Sequence, residues 1–173
     1  MNFKTERLTV RPFLDGDKEK MLEMLYDESI KKTYMIPDLE SVEAAEKLFS
    51  AFARLSQDEG RFVGAICLDG EIVGFMNDTE IKGESVEMGY VISPKYQNRG
   101  FCTEAMGGAI NHLFEKGFSE VICGAFEGNA ASLRVMQKCG MDLLDKTDVI
   151  EYRGEKHNCI YYSIKRTLDW RGL

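Results

Sequence analysis

Residues 91–105 read VISPKYQNRGFCTEA: an apolar, strand-like start, a proline, then a short polar stretch with one glycine entering a helix. A plain turn between strand and helix needs fewer residues and no arginine. A helix start exposes unpaired backbone N–H groups and the positive end of the helix dipole, so a phosphate can settle there without any cationic side chain. Here Arg99 through Thr103 are set to present successive amides, Gly100 lets the backbone come close, and Arg99 adds charge. The spacing is not GxxxxGK[ST], and the chain contains no GxGxxG, so the nucleotide-loop readings fail. Two readings stay open at this level: an anion-binding loop, or a capped strand-to-helix connection.

Outward from this stretch, hydrophobic period sets the elements. Val86 to Ile92, Arg61 to Leu68 and Glu71 to Met76 are strand-like. Asp69-Gly70 is a two-residue hairpin signal and Lys82-Gly83-Glu84 a second turn, which predicts a three-stranded antiparallel meander. Beyond the loop, Ala105, Met106, Ala109, Ile110, Leu113 and Phe114 make one helical stripe ending at Gly117. His112 lies off that stripe and is expected in solvent. Gly107 and Gly108 each cost about 1 kcal/mol of helix propensity, which suggests a close approach to the sheet. Val121 to Phe126 reads as a buried strand, and Asn129 caps a short helix ending near Cys139-Gly140. Two tail strands, about 143–152 and 157–166, are joined across Arg153-Gly154-Glu155. At the front, Leu8 to Val10 is a short strand and Asp15-Gly16-Asp17 caps a helix over roughly 18–27. Ser41 caps a second helix carrying Ala45, Leu48, Phe49 and Phe52. The order β-α-α-β-β-β-α-β-α-β-β predicts an α/β domain of α+β type, a mixed and mostly antiparallel central sheet flanked by about four helices, in one domain over 1–173.

Bulk composition narrows the classes. Lys plus Arg is 22 against 29 Asp plus Glu, a net charge of −7, which argues against a sequence-independent nucleic-acid binder. An acidic rim suits a cationic substrate better, although ordinary solubility charge explains it equally well. Five cysteines form no CxxC pair, and two histidines are too few to favour a zinc site, so no metal is expected. Unpaired thiols in this number suggest a reducing compartment, and no apolar run is long enough to span a membrane. A soluble, cytoplasmic protein without a membrane or nucleic-acid partner is the expectation.

Gln97-Asn98-Arg99-Gly100-Phe101-Cys102 resembles the Q/R-x-x-G-x-G/A signature of the GNAT superfamily of acyl-CoA-dependent N-acetyltransferases. EMGYVISPKYQNRGFCTEA (87–105) and GNAASLRVMQKCGM (128–141) resemble the subgroup containing ribosomal-protein N-terminal acetyltransferases. The likeness covers nearly the whole chain, from the LTVRPF opening to the closing hairpin. It implies central strands splayed at an acyl-CoA cleft, with acetyl-CoA as cosubstrate. By position, Gln97, Asn98, Arg99, Gly100, Phe101, Cys102 and Thr103 would cradle the coenzyme A pyrophosphate. Tyr90, Val91 and Ile92 would offer backbone groups to the pantetheine arm, and Asn129 would bind pantetheine or cap the next helix. Cys102 departs from the family's glycine or alanine. A thiol at a helix start invites an acyl-carrier reading, but a small side chain tolerated beside phosphate is favoured. Met136 stands where many relatives carry a tyrosine acid, so that role is vacant here.

Acyl transfer from a thioester to an amine needs a base for the ammonium and a proton for the departing sulfur. Glu87 is the candidate base: strand alternation places Glu87, Gly89 and Val91 on one face. Its bland alternative is a solvated strand glutamate or an arginine's partner. Ser132, three residues beyond Asn129, is the candidate acid, because the resembled subgroup places a serine near the coenzyme sulfur. Alternatively it satisfies a free helical amide. His157 lies next to the last hairpin, while Tyr152, Tyr161 and Tyr162 read as strand packing. The expected acceptor is a primary amine, either a peptide N-terminus or a small molecule, with the stretch 28–41 shaping the choice and a homodimer left open. The competing classes are a non-catalytic acyl-CoA-binding sensor or assembly module, and a thiol hydrolase using Cys102 that lacks a histidine partner.

Overall fold

The computed structural model describes residues 1–173 apart from Asp38, Asp169 and Arg171. In chain order the strands are β1 (Phe3–Lys4), β2 (Leu8–Arg11), β3 (Gly64–Leu68), β4 (Glu71–Lys82), β5 (Ser85–Ile92), β6 (Glu120–Phe126), β7 (Asp142–Tyr152) and β8 (Glu155–Lys165). The helices are α1 (Lys18–Tyr26), α2 (Glu28–Lys31), α3 (Val42–Ser56), α4 (Phe101–Glu115) and α5 (Ala130–Lys138). The strands hydrogen-bond in the order β1-β2-β3-β4-β5-β6-β8-β7. β5 and β6 run parallel. β1–β2, β2–β3, β3–β4, β6–β8 and β7–β8 are antiparallel, giving the mixed, mostly antiparallel sheet that the sequence order predicts.

Local chemistry explains most of these elements. Asp69 and Gly70 have φ of 49° and 88°, and Arg153 and Gly154 have 53° and 77°. Two successive left-handed residues make the hairpin turn whose twist matches the flanking strands. Ser41 starts α3 by accepting a hydrogen bond from the Ala44 amide at 3.2 Å. At the end of α4, Gly117 has φ 102° and its amide donates to the Phe114 carbonyl at 3.1 Å, which also accepts from Arg166 Nη1 at 2.7 Å.

The chain clusters into two compact units, 1–77 with 90–105, and 78–89 with 106–173, so β4, β5 and α4 each pass from one to the other. The first unit packs Phe13, Met21, Leu25, Phe49, Ala65, Phe75 and Val91 into one core. Phe13 meets Phe49 and Phe52 edge-to-face, with ring centroids 6.0 and 6.1 Å apart. Asp17, 6% exposed in the same unit, is held by both terminal nitrogens of Arg11 at 2.7 and 2.9 Å. The second unit buries Met106, Ala109, Ile110, Leu113 and Phe114 of α4, Val121 and Cys123 of β6, and Met136 of α5.

The departures from sequence expectation have physical causes. β4 continues to Lys82 although Asn77-Asp78-Thr79-Glu80 breaks the apolar pattern, because a hairpin ladder needs only backbone groups. α2 is too short to show a period; the Asp27 side chain nucleates it by accepting from Ser29 N and Ile30 N. His112 is half-buried rather than in solvent, and its burial pushes its pKa down. Gly107 makes no close approach to the sheet: a Cβ there would meet Leu173 at an ordinary 3.8 Å. The close approach is at Gly74, where a Cβ would overlap the Val91 carbonyl oxygen and lie 2.8 Å from Ile92 Cδ1.

Candidate functional site

The first unit contains the whole strand-to-helix connection. The Ser93 amide donates to the Val73 carbonyl at 2.9 Å, and Pro94–Tyr96 forms one 3-10 turn closed by Tyr96 N to Ser93 O at 2.8 Å. Gln97 Nε2 donates to the Ile92 carbonyl at 3.0 Å. Gln97 therefore braces the connection, and that carbonyl already has a partner. Val91 and Ile92 are buried and Tyr90 is half-buried. Asn98 and Gly100 take φ of 60° and 81°, which turns the exposed backbone of 97–100 into the helix. The Gly100 carbonyl accepts the Glu104 amide at 3.0 Å, so α4 begins here. Among the described residues, the amides of Arg99, Gly100 and Phe101 donate to no protein acceptor. A Cβ added at Gly100 would meet only Arg7 Nη2, at 3.4 Å. Three successive donors, the first two on the exposed residues Arg99 and Gly100, at the start of a 15-residue helix suit a multiply charged anion. Cys102 and Thr103 are half-buried in the first turn, and none of the five cysteines is in a disulfide.

Side chains far away in sequence shape this loop. The Arg99 guanidinium stacks on the rings of Phe101 at 4.9 Å and Tyr96 at 5.9 Å. The guanidinium of Arg7 lies 4.6 Å from the same Phe101 ring, which is 2% exposed. Arg7 Nε donates to Glu104 Oε2 at 2.6 Å, its Nη2 lies 2.6 Å from the same oxygen, and its Nη1 donates to the Arg99 carbonyl at 3.2 Å. Glu104 Oε1 accepts from Thr5 Oγ1 at 2.6 Å and from the Arg7 amide at 2.7 Å. Burial alone would raise the Glu104 pKa; the hydrogen bonds from Thr5 and Arg7 and the arginine charge outweigh it and hold the carboxyl below its ordinary range. Sequence reasoning missed Thr5, Arg7 and Glu104, because no local signal ties residue 7 to residue 104.

The second unit holds Glu87, Asn129 and Ser132. Its parallel ladder pairs Ser85, Val86 and Glu87 with Glu120, Val121 and Ile122, and ends there. Glu87 is half-buried at that end, and Thr79 Oγ1 donates to its Oε1 at 3.1 Å. Ile122 pairs with Ser163 and Gly124 with Tyr161, so Glu87, Ile122, Gly124 and Tyr161 share one face of the sheet. Tyr161 lies flat on β6: a Cβ at Gly124 would be 2.7 Å from its ring. Burial first, then its hydrogen bond to Asp148 and the fields of Cys159 and Glu87, push the Tyr161 pKa up. Lys146 Nζ sits 3.7 Å from the centre of that ring. This group around Glu87 was also missed, since register rather than spacing assembles it.

Asn129 Oδ1 accepts from the Ser132 amide at 3.1 Å, which makes Asn129 the cap of α5. Ser132 is half-buried at the third position of that helix. Met136 is fully buried, so a core side chain fills the position of the absent tyrosine. His157 stacks on Phe126 with ring centroids 4.3 Å apart.

Known proteins resemble this chain in sequence and fold. The family model described as Acetyltransferase (GNAT) domain matches residues 7–142. The uncharacterized N-acetyltransferase YnaD of Bacillus subtilis is 30% identical over 151 residues, covering 82% of this chain and 82% of the relative. The crystal structure of a GNAT-family acetyltransferase from Bacillus anthracis superposes with a TM-score of 0.81 at 27% identity, over 95% of this chain and 98% of that one. RimL, a ribosomal L7/L12 α-N-protein acetyltransferase solved with coenzyme A, shares the fold at a TM-score of 0.81 and 16% identity, over 93% of this chain and 95% of its own.

Proposed function

The chain belongs to the GNAT acetyltransferase family, and from that premise we propose that it moves the acetyl group of acetyl-CoA directly onto a primary amine, a peptide N-terminus or a small amine. The observation that carries the cofactor half is the run of Arg99, Gly100 and Phe101 amides at the start of α4, which among the described residues have no protein acceptor. Those donors receive the diphosphate of the coenzyme, with Asn98, Cys102 and Thr103 completing the segment and Gln97 bracing it. Tyr90 and Val91 offer main-chain groups to the pantetheine arm, and Asn129 fixes the helix start that carries Ser132.

In the transfer, the amine nitrogen attacks the thioester carbon, the new C–N bond forms, and the C–S bond breaks. Glu87 takes the proton that the attacking nitrogen must lose, directly or through one water. The Thr79 hydroxyl lies within hydrogen-bond reach of the Glu87 carboxylate at 3.1 Å and of the Glu87 carbonyl at 3.3 Å. Ser132 donates a proton to the departing thiolate, and solvent restores it. No covalent acyl-enzyme is needed, so Cys102 has no part beyond its small volume.

Calorimetry with coenzyme A, followed by an amine panel read by thiol release and mass of the product, tests the reading. Acetylated amine with stoichiometric thiol supports it, free acetate alone would mean hydrolysis, and tight binding without turnover would leave a binding module. Gly100→Glu is expected to abolish measurable coenzyme binding by charge repulsion, and unchanged affinity refutes the loop assignment. Ser132→Ala is expected to lower kcat roughly 100-fold with little change in coenzyme affinity, and an equal rate removes Ser132 from the mechanism.

A further inference from the structure

We propose that Arg7 is a positioning residue for coenzyme binding, holding the loop peptide in place and cancelling the charge of Glu104. This rests on the reading of 97–103 as the diphosphate cradle.

Glu104 carries a carboxylate in the first turn of α4. That position suits the helix dipole, but its charge has the same sign as a diphosphate arriving at the helix start. Arg7 supplies the opposite charge at 2.6 Å through a fork on Glu104 Oε2, which a lysine ammonium cannot reproduce. The same guanidinium donates through Nη1 to the Arg99 carbonyl at 3.2 Å. In a trans peptide the N–H points opposite to the C=O, so fixing the Arg99 carbonyl fixes the direction of the Gly100 amide. Arg7 and Arg99 also contact the Phe101 ring at 4.6 and 4.9 Å, and thereby pin the next amide. One side chain from the segment between β1 and β2 therefore sets the orientation of the anion donors and offsets the carboxylate beside them.

Calorimetry with coenzyme A on the parent, Arg7→Met, Glu104→Gln and the double variant tests this. Methionine keeps an unbranched stem for Phe101 and loses the fork and the charge. Arg7→Met is expected to weaken binding roughly tenfold or more, the scale of losing a charge-assisted contact. In steady state the loss falls on KM for acetyl-CoA, with kcat at saturation within about twofold of the parent. The double variant is expected to recover several-fold over Arg7→Met, because the unpaired carboxylate is gone. A tie that serves stability alone gives no such recovery. Arg7→Lys, which keeps the charge without the fork, falls between parent and Arg7→Met and serves if the methionine variant does not fold. Arg7→Met or Arg7→Lys equal to the parent, or a double variant weaker than Arg7→Met, overturns the proposal. A parent that binds no coenzyme A instead refutes the loop reading itself, so the two failures are separable.

Discussion

Replacing Gly100 by alanine isolates the backbone conformation of the loop from its charge. Gly100 has φ 81°, where an L side chain is opposed by its own backbone, at roughly 1–2 kcal/mol per residue. Alanine also stiffens the unfolded chain, which returns about 0.4–1 kcal/mol to the folded state. The space around the new Cβ adds little, since the nearest atom is Arg7 Nη2 at 3.4 Å, the end of a flexible side chain. The net expectation is a loss of about 1 kcal/mol, or roughly 2–4 °C in Tm for a chain of this length. The part that bears on function is how the loop escapes that strain. If Gly100 relaxes toward negative φ, the Arg99 carbonyl and the Gly100 amide rotate together, and coenzyme affinity falls further than stability does. Thermal melts with and without coenzyme A, alongside calorimetry, measure both terms. Gly100→Asn is the control, because asparagine tolerates the left-handed region better than alanine. An alanine variant that melts and binds like the parent refutes the argument. One that melts lower but binds equally well shows that the amides of this turn do not receive the ligand.

Glu87→Gln is expected to lower kcat/KM by about 100-fold, most at low pH where the acceptor is protonated and a base is needed; a loss uniform across pH removes Glu87 as base. Gly74→Ala is expected to destabilise the first unit by several kcal/mol, on the order of an overpacked core, because its Cβ overlaps the Val91 carbonyl oxygen; a urea midpoint near that of the parent counters this. The folded Glu104 pKa lies below its ordinary 4.5, so its contribution to stability is complete above that value and is lost as pH falls through the folded pKa. Stability of the parent relative to Glu104→Gln should then be constant above about pH 5 and shrink in acid, as followed by urea unfolding at each pH; a difference that grows in acid contradicts the assignment.

What could be read from the chain without its structure follows the range over which each feature is encoded. The Asp69-Gly70 and Arg153-Gly154 hairpins and the Ser41 and Asn129 caps are each written within about four residues, and all stand as the sequence implies. Glu87 was legible as a strand residue on one face, yet its neighbours Tyr161 and Asp148 were not, because three strand registers bring them there. Gly107 drew attention as an unfavourable helix residue, whereas glycines with a steric reason include Gly74, whose constraint comes from a strand 17 residues later. The loop shows the division most sharply. Its donors are consecutive amides, so fifteen letters suffice to propose an anion site, but its charge balance is set by a carboxylate inside the first turn and a guanidinium 97 positions earlier. A chain with the same QNRGFCTE run and no cation at position 7 would carry the donors and Arg99 together with an uncompensated carboxylate beside them. Reading such a loop as an anion site therefore requires the whole fold, since the motif states the donors and its own two charges and leaves the neutralisation of Glu104 to a residue outside it.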